Sequence, residues 1–159
     1  MSRPAFPPLS TLVPHSGPMS LLDAVLEHSR ERTVCSVDPA RSRLFAEPDG
    51  RVPVWLGLEY MAQCIAAHGG LAARALREPP RPGLFLGSRR VEFGSAFFRP
   101  DQVLHVSAAH YRGETGLVAF DCDVRSAAGG DPLVKGRMNV YIVDDWNALE
   151  GSGDDGGSG

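Results

Sequence analysis

Apolar and polar positions divide the chain into strand-like ends and one long helical centre. Between residues 54 and 77, Val54, Leu58, Met61, Ala62, Ile65, Ala66 and Leu71 fall on nearly every face of a helix. A helix apolar all round needs cover on every side. Pro53 is tolerated in its first turn, and Pro79, Pro80 and Pro82 end it. Gly69 and Gly70 weaken its middle by about 1 kcal/mol each relative to alanine, and such a pair points to close packing against another backbone. Upstream, Thr33 to Val37 alternates like a strand, and Leu21 to His28 is a candidate first strand. The stretches 9–19 and 38–53 are broken by Pro and Gly and read as irregular.

After the helix, four runs have strand character: Leu84 to Phe93, Gln102 to Tyr111, Leu117 to Arg125 and Pro132 to Val143. Turn residues separate them, so hairpins are expected between them. The expected fold is α+β, with a strongly curved antiparallel sheet wrapped around one long central helix.

Composition narrows the function classes. A chain of 159 residues with 43% apolar residues suits one globular domain without disulfides or metal. Cys35, Cys64 and Cys122 are odd in number and far apart in sequence, so no disulfide framework is expected. The five histidines show no metal-ligand spacing, and no metal is expected. No run has the ~18 apolar residues of a membrane span. The proline-rich start has no apolar signal core, so a cytoplasmic protein is expected.

The net charge of −3 conceals an asymmetry. Residues 144–159 carry five acidic residues and no basic ones, and are rich in Gly and Ser. We expect a domain over 1–143 and a disordered tail over 144–159. The remaining body has 16 basic against 14 acidic residues, with arginine supplying 15 of the 16. That is too weak for nucleic-acid binding by charge alone. It suits either a solvated mixed surface or a local basic patch for an acidic protein or phosphate.

The candidate chemistry lies on the helix. Glu59 and Gln63 stand four apart and share one face. Two readings are open for Glu59: an exposed residue favouring the helix dipole, or a carboxylic acid in apolar surroundings, able to serve as a general acid. His15 lies in the proline-bounded segment Pro14-His15-Ser16-Gly17-Pro18 and is either a surface residue or a base. Arg89 and Arg90 either cover sheet surface or meet a phosphate, which arginine binds in a bidentate fashion.

Three segments, in order, resemble the 3-hydroxyacyl-[acyl carrier protein] dehydratases of the FabA/FabZ hotdog type. They are Leu12 to Asp23, similar to "LPHR-P-LLVD"; Gly57 to Gln63, similar to "IEAMAQ"; and Phe97 to Leu104, similar to "PVxPGDQL". Within that group the likeness is greatest to the dehydratases of aryl polyene pigment clusters. The segments Val13 to Leu22, Pro53 to Gln63 and Phe85 to Arg90 carry it. One departure stands out. The related loop motif "GHFPG" places a histidine about fourteen residues before the helix glutamate, and here that position is Phe45.

The resemblance implies a hotdog fold and loss of water from a 3-hydroxyacyl thioester. The acid would be Glu59, the base His15, and Gln63 would orient Glu59 or a water. Backbone N–H groups of Val54, Trp55 and Leu56 would polarise the thioester carbonyl. Arg89 and Arg90 would meet the pantetheine phosphate or the acidic carrier protein. No cofactor is implied beyond the phosphopantetheine of the acyl carrier protein that carries the substrate. The partners implied are that carrier protein and a second hotdog subunit, in a homodimer or heterodimer, with no nucleic acid, membrane or metal. Hotdog proteins also include acyl thioesterases, and the missing loop histidine also suits a non-catalytic subunit of a heterodimer.

Overall fold

The central helix forms where the apolar run is densest. In a computed structural model describing residues 5–14, 17–113 and 116–143, helix α1 spans Gly57–Ala75. A single 3-10 turn, Val54–Leu56, precedes it, and Pro53 sits just before that turn in an extended conformation. Tyr60, Met61, Cys64 and Ala67 of α1 have no exposed surface.

The strands are β1 (Ala24–His28), β2 (Arg32–Val37), β3 (Val52–Pro53), β4 (Gly83–Phe93), β5 (Phe97–Phe98), β6 (Leu104–Arg112), β7 (Gly116–Ser126) and β8 (Val134–Ile142). Six form one antiparallel sheet in the order β1-β2-β6-β7-β8-β4, while β3 and β5 form a small separate pair. The helix packs on one face of the large sheet. Along β7, Val118, Phe120, Cys122 and Val124 are buried and alternate with more exposed Ala119, Asp121, Asp123 and Arg125. That period of two separates an inner face from a polar outer one.

Register shifts interrupt the pairing at β1/β2, at two places in β4/β8 and at β6/β7. Such bulges bend a strand and increase its twist, which lets the sheet curve around α1. Arg90, with φ of 55°, lies within the second β4/β8 irregularity, between Arg89 and Glu92. Tyr60 and Ser42 are both buried and joined by a 2.6 Å hydrogen bond between their hydroxyls. Burial pushes the Tyr60 phenol up to about 12.

Two expectations change. Hairpins join β6, β7 and β8, but β4 is not hairpin-paired with β6. It crosses to the far edge and pairs with β8. Nor is α1 covered on every side. Leu58, Glu59, Ala62 and Ala66 are half-buried, and Gly69, Ala72 and Leu76 are exposed. These positions follow helical spacing, so one stripe of the helix lies outside the cover this chain provides. The acidic tail, 144–159, lies outside the described residues.

The two helix glycines separate cleanly. A Cβ on Gly70 would sit 2.7 Å from the Leu12 carbonyl oxygen, so glycine there allows the 9–14 segment to lie against the helix. A Cβ on Gly69 would meet nothing within 4 Å. Gly69→Ala is therefore expected to stabilise the fold by about 1 kcal/mol through helix propensity. Gly70→Ala is expected to destabilise it by about 1–3 kcal/mol through overpacking. Chemical denaturation of the two variants tests both signs.

Candidate active site

Gln63 is fully buried, and its amide makes three hydrogen bonds. Its Nε2 donates to the Met19 carbonyl at 2.8 Å and to Glu59 Oε1 at 3.2 Å. Its Oε1 accepts from the Leu21 backbone N–H at 3.1 Å. A flipped amide would set NH₂ against the Leu21 N–H and oxygen against the Met19 carbonyl, so the partners determine its orientation. One side chain thus ties α1 to the segment around residues 19–21 and orients the Glu59 carboxylate.

Glu59 is half-buried and lines a cavity of about 540 Å³. This outcome lies between the two sequence readings: the carboxylate is neither on the open surface nor sealed in the core. The wall is mostly apolar, with Leu12, Pro14, Ala66, Phe85 and Val140 among its residues and Arg81 charged. It runs between α1, the 9–14 segment, and strands β4 and β8. A carboxylate with a fixed hydrogen-bond donor at an apolar cavity can exchange a proton with a bound substrate.

The other sequence candidates are placed as follows. His15 lies outside the described residues; Pro14, the residue before it in sequence, lines the Glu59 cavity. Val54 and Leu56 are buried, while Trp55 is exposed and stacks edge-to-face on Phe45. None of the three lines the Glu59 cavity, and the Val54 N–H already donates to the Ala96 carbonyl. Arg89 and Arg90 are exposed on β4. Arg90 lines a polar hollow with Arg32, Asp121, Asp123 and Lys135, apart from the lining of the Glu59 cavity.

Sequence reasoning missed a histidine cluster farther along the helix. Buried Thr33 of β2 bridges two rings. Its Oγ1 lies 2.8 Å from Nδ1 of His28 and 2.7 Å from Nδ1 of His68. A hydroxyl carries one proton, so Thr33 donates to one ring and accepts from the other. The His68 and His110 rings both meet Phe120 edge-on, with ring centroids 5.6 and 5.8 Å from it. His68 and His110 line a second cavity of about 460 Å³ together with Arg30, Glu31 and Glu78. Burial, then the neighbouring His28 and His110, lowers the His68 pKa to about 4, and Glu31 opposes this. The signal was faint in sequence: the three histidines are 40 and 42 positions apart and meet only through the sheet register.

A curved antiparallel sheet on one long helix, with a helix carboxylate at an apolar cavity, defines a hotdog-fold protein. The chain belongs to the ApeP-like dehydratase family, whose pattern matches residues 7–150. The solved dehydratase heterocomplex ApeI:P from Xenorhabdus doucetiae is similar at 27% identity and a TM-score of 0.82, covering 94% of this chain and 99% of that one. Thioesterase superfamily member 2 of zebra fish (12% identity, TM-score 0.59, 84% of this chain and 91% of that chain) shares the fold alone. So does Cj0977 of Campylobacter jejuni, a sigma28-regulated virulence protein (16% identity, TM-score 0.56, 86% and 88%). No curated protein matches the chain by sequence.

His68 makes stability depend on pH. Its folded pKa of about 4 lies below the ordinary 6.5. Between these values the unfolded chain takes up a proton and the folded chain does not, so stability falls as pH drops through that window. The expected contribution is on the order of 2 kcal/mol. Denaturation curves from pH 7 to pH 4 should be flatter for His68→Gln than for the unaltered chain.

Proposed function

We propose that this chain dehydrates a 3-hydroxyacyl thioester, carried on the phosphopantetheine of an acyl carrier protein, to the trans-2-enoyl thioester. Aryl polyene assembly is the pathway type this reading favours. One observation carries it: the Glu59 carboxylate, oriented by buried Gln63, faces an apolar cavity in an ApeP-like dehydratase. The cavity suits an acyl chain, and the carboxylate suits proton transfer at the carbon that loses oxygen.

In the proposed reaction a base removes the α-proton, which the thioester makes acidic. The C–H electron pair forms the Cα–Cβ double bond, the Cβ–O bond breaks, and Glu59 supplies the proton that releases water. His15 is the base in this reading, supported by its motif and by Pro14 on the same cavity as Glu59. Gln63 holds Glu59 in place. A cytoplasmic setting agrees with three buried, free thiols, as expected in a reducing compartment.

The partner of stated type is a second hotdog subunit. Strand β4 pairs only with β8 among the described residues, and it exposes Leu84, Phe85 and Leu86. A long apolar edge of that kind is a template for pairing with another chain. The similar solved structure is itself a heterocomplex, which favours a second reading: this chain completes a site with a different hotdog subunit. Assays of the chain alone and with a co-expressed hotdog partner separate the two.

The central test uses a 3-hydroxyacyl carrier protein and detection of the enoyl product. Glu59→Gln and His15→Ala are each expected to lower turnover by at least ~10²-fold, the usual range for loss of a general acid or base. Unchanged turnover in both variants would overturn the assignment. Formation of free acid and thiol without enoyl product would indicate a thioesterase instead.

A further inference from the structure

The bridge from His28 through Thr33 to His68 has too few protons to leave its two rings independent. His28 ends β1 and stands directly opposite Thr33 across the β1/β2 hairpin. His68 reaches the pair from α1, with its ring centroid 5.3 Å from that of His28. Thr33 has no exposed surface, so its hydroxyl must be satisfied inside the protein. Among the described residues its partners are the two rings, and both approach it with Nδ1. The one hydroxyl proton serves one ring, and the other ring must bring a proton of its own on Nδ1. A neutral imidazole carries its proton on Nδ1 or on Nε2. Two neutral rings on Thr33 therefore hold opposite forms: a proton on Nδ1 of one requires a proton on Nε2 of the other.

The rings differ in their surroundings. His28 is half-buried, so solvent reaches it, while His68 is only 7% exposed and lines the second cavity. His68 Nε2 has no hydrogen-bond partner among the described residues. On the same wall, Nε2 of His110 bonds the Gly113 carbonyl. A protonated His28 has a proton on both nitrogens and can only donate to Thr33. The Thr33 hydroxyl must then donate to a bare Nδ1 of His68, whose own proton is left on Nε2.

We propose that Thr33 makes His28 and His68 a pH-sensitive switch: a proton taken up by His28 fixes the inner ring, His68, as a hydrogen-bond donor on the wall of the second cavity. At higher pH the reverse arrangement is open as well, with His68 Nε2 bare and able to accept. Charged groups surround the rings from several elements. Glu27 and Arg32 pair with each other on the hairpin of His28. Arg30 and Glu31 of that hairpin, His110 of β6, and Glu78 and Arg81 beyond α1 line the His68 cavity. Burial, then His28 and His110, holds the His68 pKa at about 4, and Glu31 opposes this. Burial also lowers the pKa of His28, but His28 is the less buried ring and takes the first proton. His68 is therefore still neutral when His28 is charged, as the switch requires.

The test is nitrogen NMR of the full chain with isotope-labelled histidine, from about pH 8 to about pH 5, on either side of an ordinary imidazole pKa. At the upper end, the share of His28 with its proton on Nδ1 is expected to equal the share of His68 with its proton on Nε2. As the pH falls, both His28 nitrogens gain protons, and any bare-Nε2 signal of His68 is lost while that ring stays neutral. Thr33→Ser keeps the hydroxyl and should behave in the same way. Thr33→Val should abolish the complementary shares. Both rings in the same form at the upper end, or a bare His68 Nε2 beside a protonated His28, would overturn the proposal. So would complementary shares that persist in Thr33→Val. The first two outcomes are read on the unaltered protein, whether or not Thr33→Val folds.

Discussion

Gln63 has no exposed surface, so its amide must find its partners inside the protein. It finds two of them, Leu21 and Met19, on one segment 42 and 44 residues away in sequence. Leaving any of those buried groups without a partner costs about 1–3 kcal/mol. The segment around residues 19–21 is therefore held against the helix, and the one remaining N–H points at Glu59. Position of the carboxylate, entry of the chain into β1 and the near wall of the cavity all depend on this amide.

A second constraint follows from the helix itself. Its apolar residues circle the axis, yet the sheet covers only part of that circumference. The uncovered stripe has two outcomes in the same molecule. Near Glu59 it becomes one wall of a cavity, with the 9–14 segment and Phe85 of β4 opposite. Around Gly69 and Ala72 it borders the second cavity. The incomplete cover is thus where the site is, beside the exposed edge of β4.

Much of this was legible in the sequence because it rests on local pattern. The helix, the four later strands and the Glu59–Gln63 pair follow from spacing alone, since residues four apart must share a helix face. What was not legible depends on register. The crossing of β4 to the far edge leaves no trace in its own residues, which have strand character whatever strand they pair with. The close approach of Leu12 to Gly70 was foreseen as a kind of contact, but only the structure distinguishes Gly70 from Gly69. The Thr33 bridge between His28 and His68 needs β1, β2 and α1 assembled before the three side chains meet.

Two cavities along the helix bring different groups to their walls. At Glu59 the group is a carboxylate with a fixed donor, suited to moving a proton. At His68 burial and two neighbouring histidines disfavour the charged ring, while Arg30, Glu31 and Glu78 on the same cavity add charged groups. An apolar chain is best accommodated where no buried charge must be desolvated on binding. The two cavities therefore differ in polarity: the one at Glu59 is mostly apolar, and the one at His68 mixes apolar with charged residues.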